Sequence, residues 1–331
     1  MQEIKITANE AGQRLDKLLA KYLNEAPKSF LYKMLRKKNI VLNGKKATGN
    51  EKLVCGDSVK LFLADETIDK FSKTTIQKAK GNLDILYEDE DILVINKPVG
   101  MLSQKADAKD VSVVEYLTNY LLESGQLIED NLRSFKPSIC NRLDRNTSGL
   151  LVCGKSLPGL QNMAEMFRER SMKKFYRCIV AGDVSSSQYI KGYLAKDKRT
   201  NTVRISKNEI PDSQPIETEY RPIEKLRQGT LLEVHLITGR THQIRAHLAS
   251  VGHPIVGDYK YGNEKINQYY KEKYHVTSQL LHAYRLEMPE MVEGYRLEMP
   301  EMVEGLKQLE GKVFLAPLPK KFEELLERER V

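Results

Sequence analysis

The sequence predicts an α+β protein: a mostly antiparallel mixed sheet in the larger part of the chain, with a small N-terminal α/β unit in front of it. Two observations carry this. Strand-like and helix-like segments mix along the chain without the regular β-α-β alternation that a parallel sheet requires. The positive charge is also uneven. From Arg14 to Lys60 there are 12 Lys or Arg against 4 Asp or Glu, a net +8 in 47 residues and equal to the +8 of all 331 residues. The organisation expected is a basic unit over 1–65, a flexible linker over 66–82 and a larger domain over 83–331.

In the first unit Leu15, Leu18, Leu19 and Tyr22 follow helical spacing. A second helix fits Ser29 to Lys38, with Phe30, Met34 and Leu35 inward and Lys33, Arg36, Lys37 and Lys38 outward. Asn43-Gly44 in IVLNGKKA reads as a tight hairpin turn, with Lys45 and Lys46 just beyond it. SVKLFLA supplies another strand. The cations on one helix face, beside a basic hairpin, suit RNA phosphates better than a merely solvated surface. ETIDKFSKTTIQKAKGN has few apolar residues and four lysines, hence the expected linker.

From Leu83 onward, LDILYEDEDILVINKPVG holds two strands around an acidic turn. Val111 to Leu122 and Leu160 to Arg168 fit helices. SICNRLDRNTSGLLVCGK reads as strand, polar loop, strand. KKFYRCIVAG, PIETEYRPIE and GTLLEVHLI are further strands, and THQIRAHLASVGHP is a short helix stopped by Gly252 and Pro254. YRLEMPEMVEG occurs twice, at 284–294 and 295–305. Two copies do not make a solenoid, so one is expected to complete a strand and turn.

Composition excludes several classes. No apolar run approaches the roughly 18 residues of a membrane span, and MQEIKITANE lacks a secretory core, so a cytoplasmic protein is expected. Cys55, Cys140, Cys153 and Cys178 form no CxxC pair and read as buried free thiols. No HExxH, nucleotide or redox motif occurs, so no cofactor and no metal are expected. A monomer is the expected state.

Three segments carry chemistry. In Asn141-Arg142-Leu143-Asp144-Arg145 one carboxylate stands between two arginines, which favours its ionised form. On these residues alone a poised nucleophile or base and a loop held by an ordinary ion pair weigh equally. Thr238-Gly239-Arg240-Thr241-His242-Gln243-Ile244-Arg245 opens a helix whose N-terminus and arginines favour an anion. His242, His247 and His253 lack helical metal-ligand spacing and read as structural or RNA-contacting. In Lys173-Lys174-Phe175-Tyr176, strand alternation puts Lys174 and Tyr176 on one face. That face suits either an amphipathic strand or a platform for a flipped base.

RLDKLLAKYL, KMLRKKNIVLNGKKA and CGDSVKL together resemble the small RNA-binding module that a ribosomal small-subunit protein shares with tyrosyl-tRNA synthetases. NKPVG, NRLDRNTSGLLV, KKFY and TGRTHQIRAHLASVGHPIVGDYKYG, in that order, resemble the RluA-like family of pseudouridine synthases, over about Leu83 to Pro319. That resemblance implies a sheet with a central catalytic cleft and conversion of selected uridines, flipped out of the stack, to pseudouridine. It implies Asp144 as catalytic residue and Arg142 as the side chain filling the gap left by the uridine. It implies Tyr176 and Ile244 at the target base and Arg245 as the partner of Asp144. The front module makes the chain resemble the branches acting on large-subunit ribosomal RNA. Asn141 departs from the histidine that commonly opens the family's loop. A non-catalytic RNA-binding or assembly factor is the alternative, and a metal-dependent phosphodiesterase would need an acidic cluster that is not visible.

Overall fold

A computed structural model describes residues 1–73, 77–197, 199–290 and 306–331. The first unit is a four-stranded antiparallel sheet in the order β1-β4-β2-β3, from β1 (Gln2–Lys5), β2 (Ile40–Leu42), β3 (Lys45–Lys46) and β4 (Ser58–Leu61). Helices α1 (Leu15–Tyr22) and α2 (Lys28–Arg36) cover it and bury Leu15, Leu18, Leu19, Leu31, Met34 and Leu35. Asn43 and Gly44 both take positive φ, 49° and 74°, as a two-residue turn between β2 and β3 demands. The second helix ends earlier than its apolar pattern suggests, because Lys38 turns to φ 60°.

The expected linker is corrected. Residues 65–71 form α3 (Asp65–Phe71), since Ile68 and Phe71, three apart, share one helix face. Ile68 is buried in the first core, and the Phe71 ring lies 4.8 Å from that of Phe30. Phe30 is therefore turned to α3 and only half-buried. The stretch beyond also has partners in the larger domain: Lys105 Nζ donates to Gln77 Oε1 at 2.6 Å and Asn119 Nδ2 to the Ala79 carbonyl at 3.4 Å. The two units are hydrogen-bonded to each other directly as well. Ser134 Oγ donates to buried Glu10 Oε1 at 2.7 Å, and the Leu157 N–H to Asn9 Oδ1 at 3.3 Å. Cys55 is exposed, not buried, because it sits in the turn before β4.

The larger domain is built on an eleven-stranded sheet. One half holds β5 (Ile85–Glu88), β6 (Ile92–Lys97), β7 (Ser138–Ile139) and β8 (Ser148–Gly154). The other holds β9 (Lys173–Ala181), β10 (Gln188–Asp197), β11 (Thr202–Ser206), β12 (Ser213–Lys225), β13 (Gly229–Leu236), β14 (Leu281–Glu287) and β15 (Val313–Leu315). Helix α4 (Val113–Glu123), with a Ser112–Glu115 capping box, and α5 (Leu157–Glu169), capped by Ser156, pack on the first half. Helix α6 (Gln243–Ser250) packs against β10, β11 and β12. Two further helices, α7 (Glu264–Tyr274) and α8 (Lys320–Glu329), escape the apolar pattern. Their joint buries Glu329 entirely among the hydroxyls of Tyr269, Tyr270 and Tyr274. Of the repeated segment, residues 284–287 complete β14, residues 288–290 extend beyond it, and 291–305 lie outside the described residues.

The halves meet on one narrow seam. Among the described residues every pairing within this sheet is antiparallel except that of β8 with β14, which runs parallel over His282–Ser148 and Ala283–Gly149. Farther along the same edge, β8 pairs instead with β7, at Gly154 and Cys153. The loop between β7 and β8 fills the space between, tied by Cys140 N–H to the Val152 carbonyl at 2.7 Å and by Val152 N–H to Asn141 Oδ1 at 2.8 Å. Gly149 makes the seam possible. Its φ is +108°, and a Cβ there would lie 2.1 Å from the Ala283 carbonyl oxygen, a backbone atom that cannot move aside. Gly149→Ala is expected to lower stability by about 3 kcal/mol or more, through strain and a forced opening of the seam, read from the denaturant midpoint.

Candidate active site

The loop between β7 and β8 overhangs a cleft of about 870 Å³. Its walls come from both sheet halves: residues 102–105 after β6, residues 140–146 of the loop, Lys174 and Tyr176 of β9, and the turn that leads into α6. Ten Lys or Arg side chains line it among the described residues, with one carboxylate, Asp144. A polyanion is the ligand such a lining attracts.

Asp144 is bonded by a residue 101 positions away. Arg245 Nη1 donates to Asp144 Oδ2 at 2.8 Å. The same guanidinium grips Asp258 with its two other nitrogens, Nε to Oδ2 at 2.7 Å and Nη2 to Oδ1 at 3.0 Å. The sequence neighbours are not the partners. Arg145 turns its Nε to the Gly100 carbonyl at 3.3 Å, and Arg142 projects exposed along the cleft. The chain turns at Asp144, where the Thr147 N–H donates to the Asp144 carbonyl at 3.0 Å, and Arg145 falls in that turn.

Burial alone would raise the Asp258 carboxyl. Arg245 and the N–H groups of Lys260 and Tyr261 outweigh it and hold the carboxyl below its ordinary value. Burial likewise works to lower Arg245, but Asp258 and Asp144 drive it above the usual guanidinium range. Arg245 is therefore a fixed cation, with a planar fork aimed at two carboxylates.

The loop is anchored from below by Lys97 of the NKPVG segment. It is fully buried, and its ammonium donates to the carbonyls of Pro98 and Met101 at 2.9 Å and of Arg145 at 3.1 Å. Burial pushes it down to about 7, against the pull of Asp144. Ser103 Oγ donates to the Leu143 carbonyl at 2.8 Å and accepts the Leu143 N–H at 3.1 Å. Both residues bordering Asp144 are thus pinned by their backbone, so the carboxylate is presented by a rigid loop.

Lys174 and Tyr176 both face the cleft, as strand alternation requires. Burial, reinforced by the charge on Asp144, raises the Tyr176 phenol, which keeps its proton and acts as a donor. Burial also lowers Lys174, with Arg170 adding to the effect. Ile244 is buried in the core with Leu143 and Tyr176 and is not part of the cleft wall. Of the three histidines, His242 lines the cleft, while buried His247 meets Thr218 Oγ1 at 3.0 Å. Asn141, standing where a histidine is common, serves the β8 edge through Val152. Lys33, Arg36, Lys37, Lys38, Lys45 and Lys46 are all exposed. Asp258 and Lys97 are not marked by the sequence. Both lie inside motifs that carry the resemblance, yet nothing local identifies them as partners of residues far along the chain. No group of three potential metal ligands occurs among the described residues.

Asp258→Asn is expected to destabilise the fold by about 3 kcal/mol, because it leaves half of a buried pair. The folded Asp258 carboxyl is depressed, so the wild-type advantage should be full above the unfolded carboxylate range and vanish as pH falls through the folded value. Denaturant midpoints of both proteins from neutral to acid pH check this.

Comparison with known proteins places these features. Residues 91–250 match the model of the RNA pseudouridylate synthase family. The chain is 33% identical over 276 residues to ribosomal large subunit pseudouridine synthase C of Vibrio parahaemolyticus, covering 81% of this chain and 82% of that one. It is 34% identical over 279 residues to the Escherichia coli protein of the same name, covering 80% and 81%. Among solved structures, human RNA pseudouridylate synthase domain containing 4 shares the fold, at TM-score 0.56 and 21% identity, over 74% of this chain and 92% of that one.

Proposed function

The chain belongs to the RluA-like family of RNA pseudouridylate synthases, and on that premise we propose that Asp144 is its catalytic carboxylate, acting on uridines of large-subunit ribosomal RNA turned out into the cleft. The enzyme is an isomerase: the C1′–N1 bond of uridine breaks, the base turns, C5 joins C1′ and gives up its proton, and N1 gains one. The observation that carries the residue assignment is the position of Asp144, the one carboxylate in a cationic cleft, bonded to Arg245.

The ribosomal substrate is what the named relatives act on, and the basic lining fits it. Turning a base out of its stack costs a few kcal/mol, which phosphate contacts along the cleft offset. The second carboxylate oxygen of Asp144 is left for the ribose or base, while Arg245 binds the first. Tyr176 offers a flat, protonated phenol beside it, and Arg142 stands at the rim to occupy the gap in the RNA.

Asp144→Asn is expected to lower single-turnover pseudouridine formation by about a thousandfold or more while RNA affinity changes little, since the shape is kept and the charge removed. Nucleotide-resolution mapping of pseudouridine in large-subunit RNA, with wild type and variant, is the measurement. Normal formation by the variant would overturn the assignment.

We also propose that the unit over 1–65 binds RNA phosphates through α2 and the β2–β3 hairpin. Replacing Lys33, Arg36, Lys37 and Lys38 by Gln should weaken binding and flatten its salt dependence, by about 0.9 in log–log slope for each duplex phosphate no longer neutralised. Equal slopes for the two proteins would show that this face does not engage the RNA backbone.

A further inference from the structure

His242 is placed in a way that its sequence context does not foretell. It is a non-glycine residue with φ 54° and ψ 16°, a left-handed conformation that most side chains avoid. It immediately precedes α6 but makes no side-chain cap to that helix. Instead its imidazole reaches the cleft, with Nε2 3.9 Å from Asp144 Oδ2 and the side chain 10% exposed. That distance is too long for a hydrogen bond, so the edge of the ring beside the carboxylate is left for a ligand.

The far edge is fixed. His242 Nδ1 lies 3.0 Å from the Tyr261 hydroxyl, which also accepts the Val203 N–H at 2.9 Å. With the Val203 N–H already on its oxygen, Tyr261 is assigned as the donor to Nδ1, the arrangement that uses its one proton. A neutral ring that accepts at Nδ1 carries its proton on Nε2. The groups facing the ring favour this neutral form. Burial disfavours the imidazolium, and Arg245 and Lys260 add to that, against the opposing charges of Asp144 and Asp258. The Arg245 guanidinium lies over the Tyr261 ring at 5.3 Å, which ties the whole set together.

We propose that His242 is a catalytic residue, a neutral imidazole whose Nε2–H donates a hydrogen bond to a carbonyl oxygen of the target uracil and holds the base while it is detached from the ribose. The proposal rests on Asp144 being the reacting carboxylate. The chemistry demands such a donor. When the C1′–N1 bond breaks, its electron pair stays with the base, and the negative charge spreads over N1 and the carbonyl oxygens. Electron-poor C1′ stays beside the Asp144 carboxylate until C5 bonds to it and sheds its proton. The base must then turn without leaving. A preorganised N–H beside the reacting carboxylate stabilises that charge and keeps the ring within reach. His242 transfers no proton in this step. With Nδ1 occupied by Tyr261 and Nε2 protonated, it has no lone pair for the C5 proton and is a donor, not a base.

The test uses the full chain under single-turnover conditions on a large-subunit RNA fragment that the wild type modifies, with His242→Ala, His242→Gln, Tyr261→Phe and Asp144→Asn. Removing the donor in His242→Ala should lower the rate about a hundredfold with little change in RNA affinity. His242→Gln, which returns an N–H at similar reach, should recover most of that loss and keep the shape of the wild-type pH profile. Tyr261→Phe should fall between, because the ring is no longer held in one tautomer. A wild-type rate in His242→Ala would overturn the proposal. So would a glutamine variant as slow as the alanine one, or one that loses an acidic limb present in the wild type, since either marks a base. If His242→Ala is shown by its melting temperature to be unfolded, the glutamine and phenylalanine variants decide alone, by the same criteria. Asp144→Asn separates the two claims: an active Asp144→Asn sinks the reading of the carboxylate, whatever the histidine variants do.

Discussion

A buried guanidinium shared between two carboxylates is the interaction on which the site depends. Arg245 is 8% exposed, and an unpaired charge at that depth would cost several kcal/mol. Asp258 meets that demand with a two-point grip, and Asp144 accepts a third N–H, from Nη1. The hierarchy matters chemically. Asp258 is fully enclosed, while Asp144 keeps an exposed oxygen at the cleft. One acid thus satisfies the arginine, so that the other can be held by it without being buried by it. The same guanidinium packs on Tyr261, which orients His242, so the donor and the carboxylate are registered to a single fixed group.

The second constraint is the seam between the sheet halves. A loop can overhang a cleft only where neighbouring strands part, and here they part because β8 gives one edge to two partners. The missing Cβ of Gly149 lets β14 close on β8 at one point, which leaves the stretch before it to carry Asp144. Lys97 and Ser103 then fix that loop by its backbone, and Arg245 fixes the Asp144 side chain it carries. A cationic surround would otherwise draw a mobile carboxylate toward whichever arginine lay nearest.

The small N-terminal unit has its own apolar core and a dense positive face, and α3 binds it into one packed piece. Its joint with the larger domain includes the buried Glu10–Ser134 bond, and the chain beyond α3 is hydrogen-bonded to the larger domain.

Much of this was legible in order along the chain. Strand alternation in KKFY put Lys174 and Tyr176 on one face, Asn43-Gly44 marked its turn, and the four motifs of the larger domain carried the family with Asp144 and Arg245 among their residues. These are local signals, because period and turn chemistry depend on residues a few positions apart. Other features had no local signature. The helix at 65–71 has only two large apolar residues on its inner face, Ile68 and Phe71, and packing on Phe30 decides it. The arginines beside Asp144 in sequence suggested partners, but the turn at 144–147 gives Arg145 to the Gly100 carbonyl instead. That Asp258 shares Arg245, that Lys97 supports the loop through Arg145, and that Tyr261 meets the His242 ring all arise from contacts between distant segments. The sequence by itself determined which residue types were present and the faces on which they lie. Only the tertiary structure decided which charges meet, because a buried ion pair forms where packing excludes water, and that place is defined by the whole sheet at once.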